Sequence, residues 1–150
     1  MKDATAVLEK RIEIRWSDLD AFGHVNNAVY LNYLEEARDD WLNRALPEGG
    51  STWDFVLVRV AIDFRRELRE GDGHVLTSCR LVSVGRSSIV TREEVRTLDG
   101  ELSAEAESVM VARDAETGRS RTLTPAEREA FGARARNSAR RVPSARDNSG

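Results

Sequence analysis

One long helical stripe followed by a switch to a period of two constrains the fold of this chain more than any other feature. Tyr30, Leu34, Ala37, Trp41 and Ala45 recur at steps of four, three, four and four. That spacing is one helical stripe. Glu35, Glu36, Arg38 and Asp39 lie mostly off it, and Glu35 and Glu36 read as a solvated helix face. Asn26 or Asn27 stands where an N-cap belongs, and Pro47 with Gly49-Gly50 ends the element. About 18 residues, or roughly 27 Å, are therefore expected to be helical. Beyond Gly50 the period is two. Val56, Val58, Val60, Ile62 and Phe64 alternate as a strand. Residues 74–84, 87–97 and 101–113 read as three more strands, divided from each other by Gly85 and by the hairpin pair Asp99-Gly100. Ahead of the helix, Ile12, Ile14 and Trp16 share one face of a first strand over residues 11–16. Thr124 and Pro125 open a short final helix.

The order is strand, long helix, then four strands in series. Short turns force the later strands to pair antiparallel. The alternation of strand and helix that builds a parallel sheet is absent. The expected class is α+β, with one amphipathic helix on one face of a mostly antiparallel sheet. Such a sheet leaves a strand edge open to a second copy.

A chain of 150 residues is one domain's worth. Its 40% hydrophobic content is enough for a core, so a folded globular body is expected. The longest aliphatic run, Val56-Leu57-Val58, is far too short to cross a membrane, and the first residues lack the apolar core of a signal peptide. A cytoplasmic protein is expected. The single cysteine, Cys79, excludes an internal disulfide framework and a multi-cysteine zinc site, and reads as a buried, inert thiol. Net charge is −3, but residues 133–150 hold five arginines and one aspartate, which leaves −7 on residues 1–132. An acidic body argues against nucleic-acid binding. Residues 1–132 read as the folded domain, and 133–150 as a basic tail with too little apolar surface to fold.

The chemistry concentrates in one segment. Asp18, Asp20, His24, Asn26 and Asn27 fall within ten residues, just ahead of the helix. A helix N-terminus offers unpaired N–H groups and the positive end of a dipole, which suit a developing oxyanion. A carboxylate or imidazole beside it can activate water. The same residues also suit Asx-turns and plain caps. No metal is expected. The Asp-x-Asp-x-x-Gly run opens like a calcium loop, but Phe22 and Val29 stand where later ligands belong.

The segment DLDAFGHVNNAVYLNYLEEAR, residues 18–38, resembles the acyl-CoA thioesterases of the 4-hydroxybenzoyl-CoA thioesterase type. The stretches at 58–72, 84–89 and 98–119 follow that family's strand order and turns more loosely. The resemblance implies the hotdog fold, an antiparallel sheet wrapped around one long central helix. It also implies an acyl-CoA substrate, no cofactor, and a homodimer or homotetramer with each site between subunits. It makes Asp20 the general base or nucleophile and His24 its helper. Gly23 matches the glycine before the helix, and the N–H groups near Asn26 and Asn27 would polarise the thioester oxygen. Phe22 stands where one branch has asparagine, so a full Asp-Asn-His set is absent. Arg65, Arg66, Arg86, Ser87 and Ser88 are candidates for the phosphates and pantetheine arm of CoA. Asp18 would shape the loop and Tyr30 would pack in the core. Trp16 and Trp53 would serve as core or as acyl-pocket lining. Two other readings use the same residues: an enoyl-CoA hydratase or dehydratase on this fold, and a non-catalytic acyl-CoA-binding module.

Overall fold

The long helix α1 spans Asn27–Ala45, and the whole predicted stripe from Tyr30 to Ala45 is buried. Asn26 is the N-cap: its side chain accepts from the Ala28 N–H. In this computed structural model, which describes residues 8–139, the remaining elements are β1 (Leu8–Glu13), β2 (Phe55–Phe64), β3 (His74–Val84), β4 (Ser88–Thr97), β5 (Leu102–Ala112) and α2 (Pro125–Ala139). The five strands form one antiparallel sheet in the order β1-β3-β4-β5-β2. Both β1 and β2 are therefore edges. The sheet curls round α1, which packs chiefly on β3, β1 and β4.

Two apolar clusters fill the space between helix and sheet. One gathers Leu34, Tyr30, Val75, Val95 and Leu68 near the start of α1. The other gathers Trp41, Leu42, Leu81, Ile89 and Phe131 near its end. The α2 residue Phe131 stacks on Trp41, with ring centroids 6.1 Å apart, and closes that end. A reciprocal cap starts α2, because Thr124 Oγ1 accepts from the Glu127 N–H and Glu127 Oε1 accepts from the Thr124 N–H. At 15 residues this helix is longer than the short one expected. The expected boundary between residues 132 and 133 falls within it, and residues 140–150 lie outside the described ones.

Two strand expectations change. The first strand stops at Glu13, and Trp16 leaves its face for a 3-10 turn (Trp16–Asp18), where it is exposed. On β2 the strict alternation is broken by a bulge between Leu57 and Arg59. Opposite the inward-facing residues of β5, the inner face of β2 is Phe55 and Leu57, then Val60, Ile62 and Phe64. Val56 and Val58 fall on the outer face instead. One extra residue shifts every following side chain by half a period.

A buried ion pair also escaped the periodicity. Arg38, on α1, is 4% exposed, and its Nη1 donates to Glu93 Oε1 of β4 over 3.0 Å. Glu93 is fully buried. Its Oε2 has no partner. Burial raises its pKa above the ordinary glutamate value, against the opposing pull of Arg38.

Candidate active site

The loop from Asp18 to Asn26 is built by its own polar side chains. Asp18 is 1% exposed. It accepts from the Arg15 backbone N–H at 2.9 Å, from the Arg15 guanidinium and from the Tyr33 hydroxyl at 2.9 Å. Burial works to raise its pKa, but those donors outweigh it and hold the carboxyl below the usual range. Asp18 thus fastens the loop to α1, the shaping role read from the sequence. Gly23 turns the chain with φ +76°, and its N–H donates to the Asp20 carbonyl. Val25 N–H then donates to Leu68 O, which ties the loop to the segment after β2.

Asp20 is half-buried and does two things. Its Oδ1 accepts from the N–H groups of Phe22 (2.9 Å) and His24 (3.2 Å), the Asx-turn geometry. Its Oδ2 makes no hydrogen bond to another described residue. Asp20, His24, Asn27, Tyr30, Phe64, Arg65, Arg66 and Glu67 line one open groove of about 370 Å³. His24 Nε2 stands 3.1 Å from Glu67 Oε2. The sequence reading did not single out Glu67; it sits within the resembling stretch at 58–72, but only tertiary pairing brings it to His24.

The two candidate backbone donors part company. The Asn26 N–H donates to Asp18 O at 2.9 Å, so it is not available to a substrate. The Asn26 side chain is spent on the cap. The Asn27 N–H has no acceptor among the described residues, and it opens a 19-residue helix beside Asp20. Tyr30, read as core, is buried and also borders the groove; its hydroxyl lies 3.0 Å from Ser103 Oγ.

The CoA candidates split in two. Arg65 and Arg66 border the groove, although carboxylates already engage both: Arg65 with Glu105 at 3.2 Å, Arg66 with Asp72 at 3.3 Å and Glu101 at 2.6 Å. Arg86, Ser87 and Ser88 lie elsewhere. Ser87 O accepts from the Ala112 N–H and Arg86 O from the Leu123 N–H, at the end of the sheet where Phe55 pairs with Ala112. The groove is at the opposite end, where Phe64 pairs with Ala104. Within one chain these residues do not meet Asp20. Trp16 and Trp53 are exposed and border neither the groove nor the core clusters. Glu35 and Glu36 are exposed on α1, as a solvated face should be, and border a different groove between β1 and α1. Cys79 is buried in β3, and burial with the nearby Glu93 pushes its thiol pKa well up. Among the described residues no group of three or more His, Cys, Asp or Glu side chains could hold a metal ion. No described helix is long and apolar enough to cross a membrane.

An antiparallel sheet curled round one long helix, with a carboxylate at the helix's N-terminus, defines a hotdog domain with hydrolytic potential. The comparisons agree. The family model of the thioesterase-like superfamily matches residues 14–135, and the chain belongs to that family. It is a thioester hydrolase by that membership. It is 32% identical over 119 residues to the long-chain acyl-CoA thioesterase FadM of Escherichia coli (strain K12), covering 77% of this chain and 90% of that one. Among solved structures it is similar to a thioesterase from Thermus thermophilus complexed with coenzyme A and Zn. That likeness has a TM-score of 0.74 and 36% identity, covering 82% of this chain and 95% of the other. YbaW, a probable thioesterase from Escherichia coli, matches with TM-score 0.69 and 28% identity over 85% and 98%.

Proposed function

We propose that this protein hydrolyses acyl-CoA thioesters, and that it does so in the groove at the start of α1. The observation that carries the reading is the convergence of three groups: the Asn27 N–H and the Asp20 Oδ2, each without a hydrogen-bond partner among the described residues, and His24 backed by Glu67. In the proposed step Asp20 Oδ2 takes a proton from water, and the oxygen so activated adds to the thioester carbonyl. The oxyanion accepts a hydrogen bond from the Asn27 N–H and gains the positive end of the helix dipole. Collapse breaks the C–S bond and releases CoA thiolate and the acid. His24, oriented by Glu67, carries the proton to the thiolate.

A second copy completes this reading. The edge strand β2 leaves its inner apolar face only partly covered, with Leu57 and Phe64 exposed. Antiparallel pairing of β2 with β2 of another copy would cover that face and the open edge. It would also reverse the second sheet, and so carry the partner's Arg86–Ser88 turn towards the groove of the first. The coenzyme would then lie between copies, with the acyl group against β2.

The test is free-thiol release from a panel of short, long and aromatic acyl-CoAs, with Asp20→Asn alongside. Loss of general-base action costs about 10²–10⁴-fold. A loss in that range, with substrate still bound, supports the assignment. Equal turnover by the variant sinks Asp20 as the base. Binding without turnover by the parent would make it a binding module, and water addition to an enoyl-CoA would make it a hydratase.

A further inference from the structure

Tyr30 sits on the apolar stripe of α1, but its hydroxyl is the hub of a polar clasp. The hydroxyl lies 3.0 Å from Ser103 Oγ, and Ser103 Oγ stands 2.7 Å from the Arg66 carbonyl. A carbonyl oxygen can only accept, so Ser103 gives its proton to Arg66 O and Tyr30 gives its own to Ser103 Oγ. The Arg66 carbonyl is within 3.5 Å of the tyrosine oxygen as well. The Leu68 N–H faces that oxygen too, where it opposes the rise that burial imposes on the phenol's pKa. Tyr30, Ser103 and Leu68 are all buried. The Ser103 carbonyl adds two ties, accepting from the N–H groups of Arg65 at 2.7 Å and Arg66 at 3.1 Å.

The clasp holds residues 66 and 68, and the residue between them is Glu67. This stretch lies beyond the end of β2, outside any strand, so point contacts rather than a ladder set its shape. Leu68 is fastened on its other side by its carbonyl, which accepts from the Val25 N–H at 2.8 Å. His24, beside Val25, pairs with Arg69 in an isolated antiparallel bridge. Between them these contacts bring Glu67 Oε2 to 3.1 Å from His24 Nε2. Arg69 Nη2 donates to the same oxygen at 3.1 Å. The Glu67 side chain is more than half exposed, so its place rests on its backbone and on these two contacts.

We propose that Tyr30 is a positioning residue for the hydrolysis: its hydroxyl clasps the two neighbours of Glu67 and so aims that carboxylate at His24. This rests on the reading of His24 as the group that returns a proton to the departing thiolate. Tyr30 acts through Glu67 and touches no reacting atom. A carboxylate beside Nε2 fixes the orientation of the imidazole and leaves Nδ1 for proton transfer. Without the clasp the 66–68 segment can drift, and a misplacement of about 1 Å can cost about 10²-fold in rate. A tyrosine that served only as core would lose nothing catalytic with its hydroxyl, because phenylalanine fills nearly the same volume.

The chain has two histidines, His24 and His74, so their ring signals are readily told apart by NMR. Imidazole ¹H and ¹⁵N spectra of the full-length protein are compared for the parent, Tyr30→Phe, Ser103→Ala and Glu67→Gln, with His74→Gln assigning the second ring. Tyr30→Phe and Ser103→Ala are each expected to move the His24 signals in the direction that Glu67→Gln moves them, and to leave those of His74 in place. Turnover of an acyl-CoA is measured on the same proteins. Tyr30→Phe should lower kcat about 10- to 100-fold with KM within about threefold. The double variant Y30F/E67Q should be no slower than Glu67→Gln alone, since both remove one function. A double variant slower than Glu67→Gln by the whole Tyr30→Phe factor overturns the inference, and so do His24 signals that Tyr30→Phe leaves at their parent positions. If Asp20→Asn loses turnover while Tyr30→Phe keeps it, the hydrolase reading stands and this inference alone falls. If the parent hydrolyses no acyl-CoA, that reading falls, and the NMR comparison still decides whether the clasp sets Glu67 against His24.

Discussion

Removing the Arg38 guanidinium should damage this fold more than removing most apolar side chains. Glu93 is fully buried and keeps two hydrogen bonds through Oε1, from Arg38 at 3.0 Å and from the Thr91 hydroxyl at 3.3 Å. Its Oε2 has none. In Arg38→Met the carboxylate keeps the Thr91 contact but loses its counter-charge. Breaking one side of a buried pair costs about 3–5 kcal/mol. For a domain of this size that is a fall of roughly 6–20 °C in melting temperature.

The carboxyl has one escape, which is to protonate. Burial already holds its folded pKa above the unfolded value with Arg38 in place. A raised folded pKa means the group is best tolerated below the unfolded pKa, and that tolerance is lost as pH rises through the folded pKa. The Arg38→Met penalty should therefore grow from acid pH towards neutrality. Arg38→Met with Glu93→Leu removes both charges and should recover most of the loss, since apolar replacement of a buried pair is often neutral or stabilising. Urea denaturation of parent, singles and double between pH 4 and pH 8, about the range over which a buried carboxyl titrates, measures the coupling directly. A double variant as unstable as the worse single, or an Arg38→Met penalty that does not change with pH, would refute the reasoning.

Asp18 predicts the opposite pH trend. Its folded pKa lies below the unfolded one, so its contribution is present above about pH 4 and is lost as pH falls through the folded value. The stability gap between parent and Asp18→Asn should therefore close on acidification, read from urea midpoints; a constant gap would show that the Arg15 and Tyr33 bonds act through neutral packing. Gly23 has open space where a side chain would sit, so Gly23→Ala costs only the positive φ, about 1–2 kcal/mol. Asn at the same position tolerates that conformation and should cost less, by thermal melts. Equal costs for Ala and Asn would mean that the turn can relax.

The fold was legible where a signal was local. The α1 stripe, its cap and its end at Leu46 need only the 3.6-residue period and an asparagine in place. The Thr124-Pro125 start of α2 is equally local. The strands and their turns follow from period two and from glycines such as Gly100, whose φ is +88°. At the site, the Asp-x-Asp loop before the helix carried the position of the groove, and the resemblance of residues 18–38 carried the family.

Tertiary structure decided the rest, because each remaining feature pairs residues remote in sequence. Which strand lies at the edge depends on β2 crossing to β5, a non-local pairing that no period encodes. A single bulge moved Val58 to the outer face, and its position is set by the register of two strands. Arg38 lies off the apolar stripe in sequence, and only the packing of β4 brings Glu93 to it and buries both. Asn26 and Asn27 are adjacent and alike in sequence, yet of the two only Asn27 has an N–H with no acceptor among the described residues, since the loop folds back to put the Asp18 carbonyl on its neighbour. Composition and period fix what each segment prefers to be. The pairing of segments fixes which donors are left unsatisfied, and in this protein those donors and the Asp20 oxygen beside them are what the proposed chemistry uses.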